Sequence, residues 1–381
     1  MVVSLFPVEY RVLLLIDLGI WCWSLNLQLL NKAGIDVQIL FELEKNDHKA
    51  HRVFYNIALV FTLITQFFLM FFWLLVNFNY SGIVATAMCY FVLLFLTICP
   101  FNILHKKTRF IFLSSLIRIV FSPLRSEPTF EDVILADILT SFAKVITGLL
   151  FALGMFFTSL KHEPATPEDM HRAFELSFIG PIITSLPFLF RLRQCVSEYL
   201  TTKGTGYKPL ANAVKYASAF PVIFLSAAMH NQSEANGNLF IIWLLAVIFN
   251  SLYSFYWDVV MDWGLGARFS AEKGTRMMLL RQILIYRKPV YYISILIDFF
   301  LRTTWSLKLS ESLKSEDLLA GGFILEVAEI LRRWLWIYFR VEKEWISTEL
   351  DRTRTNYSLQ LLDSSDSEDE LEELNLIMNE L

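Results

Sequence analysis

Nine apolar runs recur along the chain, at residues 12–30, 53–76, 82–104, 133–159, 174–190, 211–229, 238–260, 290–307 and 319–340. A helix needs about 20 predominantly apolar residues to cross the hydrocarbon of a bilayer, so the pattern predicts an all-α, polytopic helical membrane protein with about nine transmembrane helices. The first run is too long for the core of a cleaved signal peptide and reads as a retained span. A shorter stretch, 110–121 (FIFLSSLIRIVF), has Arg109 and Arg125 around it and Arg118 within it, and is expected to lie as a helix in the cytosolic interface. The loops 31–52, 105–132, 191–210 and 261–289 hold most of the Lys and Arg, whereas 77–81 and 230–237 hold none. Positive loops stay in the cytosol, which places the C-terminus there and the N-terminus in the lumen.

The polar positions inside these runs are not scattered. In 319–340, Glu326, Glu329, Arg332, Arg333, Arg340 and Trp336 fall within a stripe roughly 120° wide at helical spacing. Asp137, Thr140, Ser141 and Lys144 share one face of another run, and Asp298, Arg302 and Trp305 one face of a third. Lys215 and Tyr216 sit together in a fourth, and Asp258 and Asp262 stand one i, i+4 step apart in a fifth. Charge at bilayer depth is tolerated only where it meets partners or water, so these five runs are expected to point their polar stripes into one shared cavity. The cations Lys144, Lys215, Arg302, Arg332 and Arg333 are matched by Asp137, Asp258, Asp262, Asp298 and Glu329. Interhelical salt bridges would account for that balance. The adjacent pair Arg332 and Arg333 points instead to bidentate capture of phosphate or carboxylate oxygens. Trp305 and Tyr216 fit either packing or gating.

Composition agrees with the membrane class: 55% hydrophobic residues, 18% charged, and a mean hydropathy of +0.48 leave too little polar surface to clothe a soluble globule. The net charge of −4 reflects an acidic C-terminal stretch and says little about substrate. Three regions follow: 1–132, a three-span region with the interfacial helix; 133–344, a six-span region; and 345–381, an acidic, disordered cytosolic tail. Cys22, Cys89, Cys99 and Cys195 lack any C-x-x-C spacing, which argues against a disulfide framework or a zinc site. There is no phosphate-binding G-x-x-x-x-G-K-[ST] loop, no G-x-S-x-G and no histidine pair at ligand spacing. The chain is therefore expected to be no enzyme, to need no cofactor or metal, and to bind no nucleic acid.

The stretches LADILTSF, ANAVKY, WDVVMDWGL, LRTTW and EVAEILRRWLWIYFRVEKE, in that order, resemble the EXS family, which includes the eukaryotic phosphate exporters. The likeness runs from about Glu9 to Glu344, without the N-terminal SPX domain of the longer members or, it is expected, their first span. It implies transport of inorganic phosphate through a pore of the last six spans, the region 133–344. It implies phosphate-binding roles for Asp137, Lys215, Tyr216, Arg302, Arg332 and Arg333, a gate at Trp305, and charge partners in Asp258, Asp262 and Glu329, to which the spacing adds Asp298. Thr140 stands where the exporters tend to have Asn, and its hydroxyl still donates one hydrogen bond. The compact Golgi form of the family implies a Golgi membrane protein that recovers luminal phosphate left by glycosylation and supports retention of ER luminal proteins and Golgi glycosyltransferases. The expected partners are phosphate and the bilayer, with a second copy of the chain and Golgi sorting or coat-adaptor proteins as further candidates. The rival reading is a non-transporting sorting factor that recruits retrieval machinery through its cytosolic loops and tail.

Overall fold

The computed structural model describes residues 7–40, 50–160, 177–202, 206–230, 237–266, 268–269, 277–278, 280–281, 283–303 and 318–363. Trp305, the loop 231–236 and the acidic stretch from 364 onward lie outside the described residues. The helices are α1 (Val8–Lys32), α2 (Val37–Leu40), α3 (Ala50–Asn77), α4 (Ile83–Ile98), α5 (Lys106–Phe121), α6 (Phe130–Ser141), α7 (Ala143–Leu160), α8 (Ile179–Thr201), α9 (Lys208–Ala217), α10 (Ala219–His230) and α11 (Gly237–Tyr256). A π-helical turn (Trp257–Asp262) follows, then α12 (Lys288–Thr303) and α13 (Leu318–Asp363). The strand pairing among the described residues is a two-residue antiparallel ladder, β1 (Arg268–Phe269) against β2 (Met277–Met278), before α12.

The described residues of the nine apolar runs are mostly helical, and the molecule is an all-helical polytopic membrane protein. Four segments, Glu9–Lys32, His51–Asn77, Lys208–Met229 and Gly237–Asp262, are long and apolar enough to cross a membrane, and a fifth is the bent pair α6 and α7. The remaining runs miss that standard for physical reasons. The helices α4 and α12 have 16 residues each, while α8 and α13 carry arginines within their apolar stretches. Large side chains such as Phe67, Met70, Phe91, Leu245 and Phe300 are exposed, the surface expected of helices solvated by lipid.

Breaks in the helices position the polar residues. Thr129 caps α6 by accepting a hydrogen bond from the Asp132 amide at 3.3 Å, with Glu131 and Asp132 in the first turn. The helix then stops at Ser141, and the chain turns by 65° at Phe142 before α7. Asp137, Thr140 and Ser141 thus end α6 inside the protein. The expectation that Lys144 shares their face fails, because it lies beyond the bend and is exposed. A second break, at Ser218, leaves Lys215 and Tyr216 in the last turn of α9, where the Ser218 hydroxyl bridges the Lys215 carbonyl (2.7 Å) and Asn250 of α11 (2.8 Å). The π turn rewinds the end of the α11 span so that the Trp263 amide reaches back five residues to the Asp258 carbonyl at 2.9 Å. Such turns recur where a helix must re-aim side chains.

The largest buried apolar cluster gathers Leu30, Ile35, Trp263, Tyr291, Trp336 and Phe339, where α1, α12 and α13 converge. The change of composition at Glu342 does not end the last helix, as α13 continues through residue 345 to Asp363. Glu342 is fully buried and knits the surrounding chain, taking Arg281 at 2.6 Å, the Ile285 amide at 3.2 Å and the Tyr291 hydroxyl. At α5, Arg109 is buried rather than interfacial. Its guanidinium donates to the carbonyls of Leu96, Thr97, Cys99, Phe101, Ile103 and Leu104, holding the loop between α4 and α5. Arg118 pairs bidentately with Asp132 at 2.8 Å, and that bond raises its already high pKa.

Candidate functional site

The breaks in α6 and α9, the π turn, α12 and α13 bring their charged residues into one buried cluster. Asp137 accepts from the Tyr216 hydroxyl at 2.5 Å and from Arg191 Nε at 3.0 Å, and the Arg191 guanidinium also lies over the Tyr216 ring at 4.8 Å. Lys215 reaches Asp258 at 2.9 Å and Asp262 at 3.2 Å. Asp258 further receives Arg302 and, at 3.1 Å, Arg332. Arg332 grips Glu329 with two bonds of 2.8 and 2.6 Å and lies 3.5 Å from Asp298, which also faces Arg302 at 3.8 Å. Trp305 lies outside the described residues and Lys144 stays outside the network; the carboxylates Asp137, Asp258, Asp262, Asp298 and Glu329 and the cations Lys215, Arg302 and Arg332 all enter it.

Two residues change roles. Arg191, counted from its sequence position among the cytosolic loop charges, is buried in α8 and replaces Lys144 as the fifth cation of the cluster. The five cations Arg191, Lys215, Arg302, Arg332 and Arg333 then face the five carboxylates Asp137, Asp258, Asp262, Asp298 and Glu329. Glu329 pairs with Arg332 and not with Arg333. The neighbouring arginines are thereby chemically distinct: Arg332 is saturated by carboxylates, whereas Arg333 is not.

Arg333 is the singular group of the site. It is buried, its Nε donates to Ser141 Oγ at 2.9 Å and its Nη2 to Thr140 Oγ1 at 3.0 Å, and its Nη1 has no hydrogen-bond partner. Among the described residues no carboxylate lies within ion-pair distance of it. The ring of Trp336 backs the guanidinium at 4.6 Å, and the Trp336 indole is itself held by Asp262 at 3.1 Å. The two hydroxyls are oriented in turn: Thr140 donates to the Asp137 carbonyl at 2.7 Å and Ser141 to Glu329 at 2.7 Å. A planar cation with hydroxyl neighbours and one vacant N–H edge has the chemistry to accept an oxyanion, and the 38% exposure of the Glu329 side chain marks where the cluster reaches the surface.

The sequence matches the EXS family from residue 6 to residue 346, which takes in every element of the cluster. The chain belongs to the EXS family. It is 28% identical over 368 residues to SPX and EXS domain-containing protein 1 of Dictyostelium discoideum, covering 93% of this chain and 38% of that protein. Against phosphate transporter PHO1-2 of Oryza sativa the identity is 28% over 352 residues, covering 87% and 40%. Protein ERD1 homolog 2 of Schizosaccharomyces pombe is 30% identical over 258 residues, covering 65% of this chain and 63% of that one. The chain thus spans less than half the length of the first two relatives. The EXS match extends past Arg340 to include Glu342, consistent with the buried, structural place of that carboxylate.

Several residues of this EXS site escaped the sequence reading. Arg191 ends an apolar run and looks like a flanking charge; only its short distance to Asp137 shows otherwise. Gln194, which accepts from Arg191 Nη1 at 2.6 Å, sits three residues on, at a spacing that leaves a faint helical signal. Trp336 was visible as part of the polar stripe but not as the group that backs Arg333.

Proposed function

We propose that this EXS protein is an inorganic phosphate transporter or channel of the Golgi membrane. In this reading it moves luminal phosphate left by glycosylation into the cytosol, and so supports retention of ER luminal proteins and Golgi glycosyltransferases. The chain crosses nine times, with a luminal N-terminus and a cytosolic C-terminus; residues 133–344 form the pathway and Trp305 gates it. The observation that carries the reading is Arg333, a buried cation with hydroxyls on two of its edges and an unfilled donor on the third. The name of the rice relative, a phosphate transporter, supports the same substrate class.

The geometry suggests how an anion is handled. The ten charges of the cluster balance, so an incoming phosphate needs a cation that is not already committed to a carboxylate. Arg333 supplies it through Nη1, while Thr140 and Ser141 can each turn a hydroxyl toward a phosphate oxygen. Lys215 and Arg302 share Asp258 with Arg332, and an anion leaving Arg333 finds in them cations that exchange one carboxylate contact for a phosphate oxygen. Asp137, Arg191 and Tyr216 hold the end of α6 in place.

A ligand that binds only the folded state raises its stability by mass action. Melting of the purified protein in detergent should therefore shift upward with increasing phosphate, and the shift should vanish in Arg333→Gln. A wild-type melting temperature indifferent to phosphate, in a protein that nonetheless supports retention in cells, would favour the sorting-factor reading.

A further inference from the structure

Asp17 is a buried carboxyl that the phosphate pathway does not use. It lies in the middle of α1, about 5% exposed, and neither of its oxygens has a hydrogen-bond partner. Its neighbours along the α1 seam with α3 are all satisfied: the Tyr10 hydroxyl donates to the Phe68 carbonyl at 2.9 Å, Trp21 Nε1 to Thr62 Oγ1 at 2.9 Å, and Ser24 to the His51 carbonyl at 3.3 Å. Tyr10, Asp17 and Ser24 are spaced seven residues apart, so Asp17 stands on the same face as groups that plainly pack there. From α3 it faces Thr65, a fully buried residue whose hydroxyl donates to the Phe61 carbonyl at 3.0 Å. From α4 it faces the buried thiol of Cys89. The hydroxyls of Tyr10 and Tyr90 are committed to backbone carbonyls, those of Phe68 at 2.9 Å and Glu9 at 2.8 Å. On the other elements that pack against α1, Lys144 of α7 is exposed, and Glu329, Arg332 and Arg333 of α13 are turned to one another, Thr140 and Ser141. Among the described residues no cation is paired with Asp17.

An ionised carboxylate buried there, with no paired cation among the described residues and with the neighbouring Thr65 hydroxyl given to the Phe61 carbonyl, is costly in the interior of a membrane protein. We propose that Asp17 is a proton-binding site, occupied by a proton in the conformation described here. The α1 helix that carries it is also joined to the anion site. A Cβ on Gly19 would sit 2.4 Å from the Phe142 ring, so α1 packs directly on the residue at the α6–α7 bend, next to Thr140 and Ser141. Asn26 donates to the Trp334 carbonyl at 3.2 Å, beside Arg333. Loss of the proton would force α1 to shift or hydrate, and both contacts would carry that change to the groups that hold Arg333. This consequence for transport rests on the reading of Arg333 as a phosphate ligand, whereas the proton site itself does not.

The test has two parts. Infrared difference spectra of the protein in lipid nanodiscs, with and without 13C-labelled aspartate, should show a protonated carboxylic acid band at neutral pH that shifts with the label and is missing in Asp17→Asn. Should the Asn variant fold poorly, Asp17→Glu serves, since its band should no longer respond to the aspartate label. No Asp17-dependent band at neutral pH, or stabilisation of the wild type by added Na⁺ in place of the band, overturns the proposal. In liposomes, phosphate flux should change with pH in the wild type and lose that dependence in Asp17→Asn while continuing. Unaltered pH dependence in that variant breaks the link to transport, and absent flux in the wild type breaks the phosphate reading while leaving the infrared result to stand.

Discussion

Replacing Arg333 by Lys separates an anion ligand from a structural cation. The substitution keeps the charge and removes the planar fork, and with it the simultaneous bonds to Ser141 Oγ (2.9 Å) and Thr140 Oγ1 (3.0 Å) that present Nη1 to the site. A hydrogen bond involving a charged group contributes about 1.5–3 kcal/mol, so one such bond lost to phosphate should weaken half-saturation roughly ten- to hundredfold. The same exchange at Arg332 strikes a different interaction. Arg332 is bound bidentately to Glu329 and touches Asp258 and Asp298, and breaking a buried pair of that kind costs about 3–5 kcal/mol of stability. Arg332→Gln, which leaves those carboxylates short of a cation, should therefore lower the melting temperature and yield, and adding Glu329→Gln should recover part of the loss. Phosphate uptake against concentration, at matched protein amounts, reads the first effect, and thermal melting in detergent reads the second. If Arg333→Lys leaves the concentration dependence unchanged while Arg332→Lys shifts it tenfold, the division of labour drawn between the two arginines is wrong.

Glu342→Ala should destabilise the protein by about 3–5 kcal/mol, because Arg281 is left buried without its partner; size-exclusion profiles and melting report it, and Arg281→Met added to Glu342→Met should restore part of the loss. Gly19→Ala drives a methyl into the Phe142 ring and should cost about 1–3 kcal/mol, with a larger fractional loss of phosphate uptake than an alanine at the open Gly154. Lys343, which donates to the Met261 carbonyl, is pushed by burial down to about 8 from its ordinary 10.5. Between those values the unfolded chain binds more protons than the folded one, so stability should rise with pH across that window, and Lys343→Met should flatten the rise; an unchanged slope would show that burial does not hold the amine neutral.

How much of this was readable in the chain follows from what each signal depends on. Apolar runs report burial or lipid contact directly, so the described residues of each run are mostly helical. The polar stripe of 319–340 survives because α13 is continuous through it. The stripe on 135–145 fails at Lys144 because a periodicity argument assumes one straight helix, and Phe142, which ends α6, carries neither Gly nor Pro to announce the 65° bend. Arg191 went unrecognised for the opposite reason: position at the end of an apolar run suggests an interfacial charge, while its role comes from Asp137, 54 residues away. The difference between Arg332 and Arg333 was equally hidden, since adjacent identical residues differ only in what the third dimension sets against them. Asp17 is a single carboxyl in a run that otherwise reads as lipid-compatible, and only its lack of partners makes it conspicuous.

The central claim is that the buried cluster carries phosphate across a membrane, and uptake of radiolabelled phosphate by liposomes containing the purified protein tests it most directly. The wild type should give saturable uptake well above protein-free liposomes, and Arg333→Gln, inserted in equal amount and melting like the wild type, should fall to the protein-free level. Uptake no greater than that of protein-free liposomes for a correctly folded wild type, or undiminished uptake in Arg333→Gln, would contradict the account.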